Sequence, residues 1–139
     1  MKTDIIQKAI VLNAENKMLL LRRSADDDRR PLQWDIPGGL LEPNEEMIPG
    51  VEREITEESG LAVTGTRAIY TLTTLQKWPG GEANAVRIFF TAAASNDQVT
   101  LSEEHIEYQW VTLQEAYEII AYDIQKQMIK YVIDNKLVL

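Results

Sequence analysis

The chain has no cysteine, one histidine, two phenylalanines, seven glycines and five prolines in 139 residues. Without cysteine there is no disulfide, no thiolate metal site and no cysteine nucleophile. No segment approaches the 18 or more apolar residues that a membrane-spanning helix needs. The N-terminal Met1-Lys2-Thr3-Asp4 has no long apolar run behind it and does not read as a secretory signal, so a cytoplasmic protein is expected. Basic charge is also scarce: 14 Lys and Arg face 22 Asp and Glu, a formal net charge of −8. That balance argues against a duplex nucleic-acid binder, which carries a basic face. It leaves a phosphate-bearing partner open, provided that a cation sits between carboxylates and phosphate.

At 139 residues, with 45% hydrophobic composition, a single domain over 1–139 with a modest core is expected. There is no repeat, low-complexity tract or long linker. Ile5–Leu12 and Met18–Leu21 read as a hairpin across the turn Asn13–Asn16. Ser24–Pro31 reads as a polar loop, and Trp34-Asp35-Ile36-Pro37-Gly38-Gly39 as a stop to regular structure. Val51–Ser59 reads as helix, closed by Gly60 at the left-handed C′ position, with Leu61 packing back on it. Thr66–Leu75 and Val86–Ala92 read as strands around a Trp78-Pro79-Gly80-Gly81 loop, and Tyr108–Val111 as a short strand. Leu113–Ala121 and Asp123–Asp134 read as helices, the second with Ile124, Met128, Tyr131 and Val132 at helical spacing. This order implies an α/β fold, a mixed sheet with helices on both faces.

Glu54, Glu57 and Glu58 stand at i, i+3 and i+4, so one helix face presents three carboxylates. Like charges so placed weaken a helix. A hard divalent cation with oxygen ligands reverses that sign. Arg53 is placed to fork onto a carboxylate, and Glu45, just before the helix, is its natural partner. A solvated acidic face would explain three glutamates but not the wider spacing: Gly39, Glu45, Arg53-Glu54-Ile55, Glu57-Glu58 and Gly60-Leu61. Pro49 is harmless only in a first turn, which sets the helix start near Met47, and Gly50 beside it permits close packing.

That spacing resembles the Nudix box at every specified position, a match expected by chance roughly once in 10⁸ windows at ordinary residue frequencies. The approach Trp34–Gly39, Glu42, and the later segment from Glu104 to Trp110-Val111 extend the resemblance over most of the chain. The resemblance implies an α/β/α sandwich with a mixed β-sheet and hydrolysis of a diphosphate linkage in a nucleotide, MutT-like in kind. It implies Mg²⁺, with Mn²⁺ as the alternative, held by Glu54, Glu57, Glu58 and the Gly38 carbonyl, with Arg53 and Glu45 orienting them. Glu104 is the expected general base; Glu103 beside it and a box glutamate are the alternatives.

Arg23 is the preferred phosphate contact among Arg22, Arg23, Arg29 and Arg30, and Trp78 is a candidate to stack on a base. His105, the sole histidine, is read as an ordinary partly buried or surface residue, with base or ligand as the sharper alternative. Leu19-Leu20 and Arg23-Ser24 echo coenzyme A-cleaving relatives, but Asp28 and Leu32 break the pattern, and Pro79 falls late for an ADP-ribose type. A nucleoside triphosphate or similar small nucleotide is therefore expected. ADP-ribose or dinucleoside polyphosphate cleavage is the alternative within the fold, and a non-catalytic nucleotide-binding module the alternative of another class. Asp26-Asp27-Asp28 lacks the alternation and central glycine of an EF-hand. The scattered apolar surface leaves a homodimer open.

Overall fold

The computed structural model describes residues 1–138. Seven strands and three helices follow in the order β1 (Lys2–Leu12), β2 (Met18–Arg23), β3 (Trp34–Asp35), β4 (Gly38–Leu40), α1 (Met47–Ser59), β5 (Val63–Trp78), β6 (Gly81–Ala94), β7 (His105–Val111), α2 (Leu113–Ile119) and α3 (Asp123–Asp134). One mixed sheet takes the strand order β3-β2-β1-β6-β5, with β4 also on β1 and β7 also on β2. No described helix is long and apolar enough to cross a membrane.

The strands alternate between two cores because their side chains alternate between two faces. Ile10, Met18, Leu20 and Phe89 point to a core closed by Ala116, Ile120, Met128, Ile129 and Val132 of the α2–α3 region. Ala9, Val11, Leu19, Leu21, Ile88 and Phe90 point the other way, onto Val51 and Ile55 of α1 and Leu61 beyond it. Both faces are covered, which makes an α/β/α sandwich and explains why these strands read as almost unbroken apolar runs. Burying each of Val51, Ile55 and Leu61 stabilises this layer by about 1.5–3 kcal/mol.

β1 runs parallel to β6 from Lys2↔Ala83 to Leu12↔Ala93. Its other edge is shared. β4 pairs with it from Ile6↔Leu40 to Lys8↔Gly38, and β2 takes over at Leu12↔Met18. The change of partner opens a cleft around Lys8, Gly38 and Gly39.

α1 starts at Met47 with Pro49 in its first turn, where the missing N–H costs nothing. Gly60 closes it at φ 74°, its N–H donating to the Thr56 carbonyl at 2.8 Å. Several strands differ from the sequence expectation. Trp34–Gly39 does not stop regular structure; it holds the two short strands β3 and β4, formed by pairing with β2 and β1 rather than by local propensity. β5, β6 and β7 run longer than expected, since backbone pairing carries their polar ends. The loop expected over Trp78–Gly81 is a tight hairpin: Trp78 pairs with Gly81, and only Pro79 and Gly80 turn. Gly80 takes φ 97°, as the second central residue of a Pro-Gly turn requires. α2 ends at Ile119, two residues early, because the chain extends at Ile120 to bury that side chain.

Candidate active site

Arg53 organises the acidic face of α1. Its Nε and Nη2 donate to the two oxygens of Glu45 at 2.6 and 3.1 Å, Nη2 also reaches Glu54 at 3.1 Å, and Nη1 reaches both oxygens of Glu57 at 3.1 Å. Glu42 lies 3.6 Å away. One guanidinium therefore holds Glu45, Glu54 and Glu57, which would otherwise repel one another. The pairing keeps the Glu45 carboxyl below its ordinary value and raises Arg53 further above its own. Gly50 makes this possible: a Cβ there would stand 2.9 Å from the Glu45 carboxyl and from Leu41.

The paired glycines do the same on the strand side. At Gly39 a Cβ would stand 2.8 Å from a Glu54 oxygen, so only glycine lets that carboxylate rest on the β4 backbone. At Gly38, φ is 143° and a Cβ would meet the Gln7 carbonyl oxygen at 2.0 Å. The Gly38 N–H donates to Glu58 at 2.8 Å. Glu58 is buried, and burial pushes its carboxyl up to about 8 against the pull of Lys8 and that N–H. Burial also raises Glu54, with Arg53 opposing.

The cleft beside these groups has a volume of about 710 Å³ and is lined by Lys8, Arg23, Gly38, Glu58, Glu104 and His105 among others. Glu103 lines it too. Glu104 and His105 arrive there through a β-bulge. Arg22 pairs with Glu107 but Arg23 with His105, so Ile106 is the extra residue and the strand is re-aimed. One ligand atom each from Glu58, Glu104 and His105 lies within 4.8 Å of the others. His105 is 8% exposed, and burial lowers the pKa of its imidazole.

Four residues that the sequence reading did not single out shape this cleft. Asp35, fully buried, accepts from Arg23 Nη1 at 2.6 Å, Arg30 Nη2 at 3.1 Å, Lys8 Nζ at 3.4 Å and Gln125 Nε2 at 2.5 Å. Burial alone would raise its carboxyl, but Lys8, Arg30, Gln125 and Arg23 outweigh it and hold it well below the carboxylate range. Lys8 also reaches the Gly38 carbonyl at 3.4 Å. Arg87 is 8% exposed, donates from Nε to Thr74 at 3.0 Å, and has no carboxylate partner among the described residues. Tyr122 lies under the Arg30 guanidinium, 4.0 Å from ring centroid to Cζ. In the sequence, Lys8 and Arg87 each stand out as a charge inside an apolar strand, and Asp35 lies in the Trp34–Gly39 approach to the box; Tyr122 carries no such signal.

Of the expected site residues, Gly38, Glu45, Arg53, Glu54, Glu57 and Glu58 come together on the Arg53 network and the paired glycines, and Arg23 and Glu104 line the cleft. Trp78 stands apart, at the hairpin tip, against Gly81 and outside the cleft lining.

The NUDIX domain model matches residues 5–132. The chain belongs to the Nudix family. Among curated proteins, this Nudix chain is 30% identical over 115 residues to nucleoside triphosphatase NudI of Klebsiella pneumoniae, covering 76% of this chain and 82% of that one. Among solved structures, it resembles the MutT protein of Methanosarcina mazei Go1 with a TM-score of 0.80 at 28% identity, covering 97% and 96% of the two chains. The E. coli dihydroneopterin triphosphate pyrophosphohydrolase shares the fold, with a TM-score of 0.76 at 19% identity over 94% and 95%. The protein is a Nudix pyrophosphohydrolase.

Proposed function

We propose that this protein hydrolyses a diphosphate bond of a nucleoside triphosphate or similar small nucleotide, with Mg²⁺ as its cofactor. The observation that carries the reading is the Arg53 network, which gathers Glu45, Glu54 and Glu57 beside Glu58 and the Gly38–Gly39 backbone. Hard oxygen donors in that number suit a hard cation. The glycine at 39 supports the fit, because it leaves the Glu54 carboxylate room on the strand.

Glu54, Glu57, Glu58 and the Gly38 carbonyl would hold the ion, which when bound supplies a polarised water and neutralises charge on the bridging phosphate. The chain's own residues do the rest. Arg53 and Glu45 fix the carboxylates. Glu104, exposed at the cleft, accepts a proton from the attacking water. Arg23, held by Asp27 and Asp35, presents positive charge to the phosphates. The nucleoside triphosphatase relative supports the substrate class.

The test is a panel of nucleoside triphosphates, ADP-ribose, dinucleoside polyphosphates and coenzyme A, incubated with Mg²⁺ and resolved by product. Turnover of triphosphates to monophosphate and diphosphate is the expected result. Preference for ADP-ribose or a dinucleoside polyphosphate would overturn the substrate class alone. Tight nucleotide binding with no product from any member would favour a non-catalytic module.

A further inference from the structure

The bulge at Ile106 places a nitrogen donor beside two carboxylates. A ring nitrogen of His105 and one oxygen each from Glu58 and Glu104 lie within 4.8 Å of one another, close enough to share a single ion. His105 is 8% exposed, and its Nδ1 is buried with no hydrogen-bond partner among the described residues. Neither ring nitrogen has a side-chain hydrogen bond among the described residues, so the ring is free to offer a lone pair to a cation. The loop is pinned on both sides: the Ser24 N–H donates to the Glu104 carbonyl at 3.0 Å, and the His105 N–H to the Ser102 carbonyl at 3.4 Å. The pinned backbone holds the side chains in the cleft without any ion.

We propose that Glu58, Glu104 and His105 form a mixed nitrogen–oxygen metal position that takes a first-row transition ion, Mn²⁺, Co²⁺ or Zn²⁺, in preference to Mg²⁺. Imidazole suits those ions, whereas Mg²⁺ keeps oxygen ligands and water. The position rests on the metal-dependent reading above through Glu58, which it shares with the box. It differs from the box in its donor chemistry and in the strand that supplies it. Glu104 has two oxygens, so ligation by one leaves the other free to accept a proton.

His105 is the sole histidine, so ¹⁵N-labelled protein gives a single imidazole spin system. Titration with Zn²⁺, a diamagnetic probe, is expected to move one imidazole nitrogen into the metal-ligated range at one equivalent, while Mg²⁺ leaves both in place. Calorimetry is expected to show Mn²⁺ affinity falling at least about tenfold in His105→Gln, with Mg²⁺ affinity held. Glu104→Gln should weaken Mn²⁺ in the same direction. An imidazole unmoved by Zn²⁺ in a protein that binds Mg²⁺ overturns this inference and leaves the proposed function standing. Failure to bind any of these ions overturns both. The measurement on the unmodified protein needs no variant to fold.

Discussion

Arg53 and Glu45 meet in a fork, Nε to Oε2 at 2.6 Å and Nη2 to Oε1 at 3.1 Å, that ties the loop before α1 to the helix itself. The same guanidinium restrains Glu54 and Glu57. Lysine would keep the charge but not the fork, because an ammonium is a point donor. Arg53→Lys is therefore expected to cut turnover by roughly 10–100-fold, the usual cost of losing a group that orients ligands. Far-UV circular dichroism should stay unchanged. Normal turnover in that variant would remove Arg53 from its positioning role.

Gly38 and Gly65 make a matched pair of substitutions. Both have positive φ, 143° and 65°, but a Cβ at Gly38 would strike the Gln7 carbonyl at 2.0 Å, while no atom of the described residues lies within 4 Å at Gly65. Gly65→Ala should cost roughly 1–2 kcal/mol from the left-handed backbone alone. Gly38→Ala should cost clearly more and lower the thermal midpoint further. Equal midpoints for the two variants would show that β4 is not packed on β1 as described.

Asp35 contributes to how the protein responds to acid. Its carboxyl is held below the ordinary range in the folded state, so its contribution to stability is complete above the unfolded value of about 4 and is lost as pH falls below it. Asp35→Asn leaves Lys8, Arg23 and Arg30 around an uncharged group and should cost about 3–5 kcal/mol at neutral pH, the usual price of breaking a buried ion pair. The variant should also lose part of the stability change between pH 5 and 2. Denaturant unfolding at several pH values checks both. An unchanged slope would contradict the ion network.

Arg87 and Trp78 separate two ideas about substrate contact. Arg87 lines the cleft with a guanidinium that has no carboxylate partner among the described residues; Trp78 lies outside the cleft lining. Arg87→Leu is expected to raise KM by roughly 10–100-fold, the range for one charge-assisted hydrogen bond. Trp78→Leu is expected to leave KM nearly unchanged. The reverse pattern would move the substrate to the hairpin.

The legibility of the chain followed the range of its interactions. The body and end of α1 were readable as Val51–Ser59 closed by Gly60, and Pro49 set its start near Met47, because these are local signals. Helices on both faces of a mixed sheet were readable from the order of the elements. The pairing of β1 with both β4 and β2 was not, nor was Asp35 as the meeting point of Lys8, Arg23, Arg30 and Gln125, since these contacts join residues up to 90 apart. Glu104 was found through the family resemblance, but the role of His105 beside it depends on a bulge at Ile106 that no local pattern announces.

The central claim is that the box helix works as a metal-dependent hydrolytic centre, and Glu57 tests it most directly, being exposed enough to replace without loss of core. The measurement is nucleotide turnover by the unmodified protein and by Glu57→Gln, with Mg²⁺ and with nucleotide binding followed in parallel. The expected result is a fall in turnover of at least about 100-fold with the fold intact, since the ligand's loss removes several kcal/mol of transition-state stabilisation. Near-normal turnover in Glu57→Gln would contradict it.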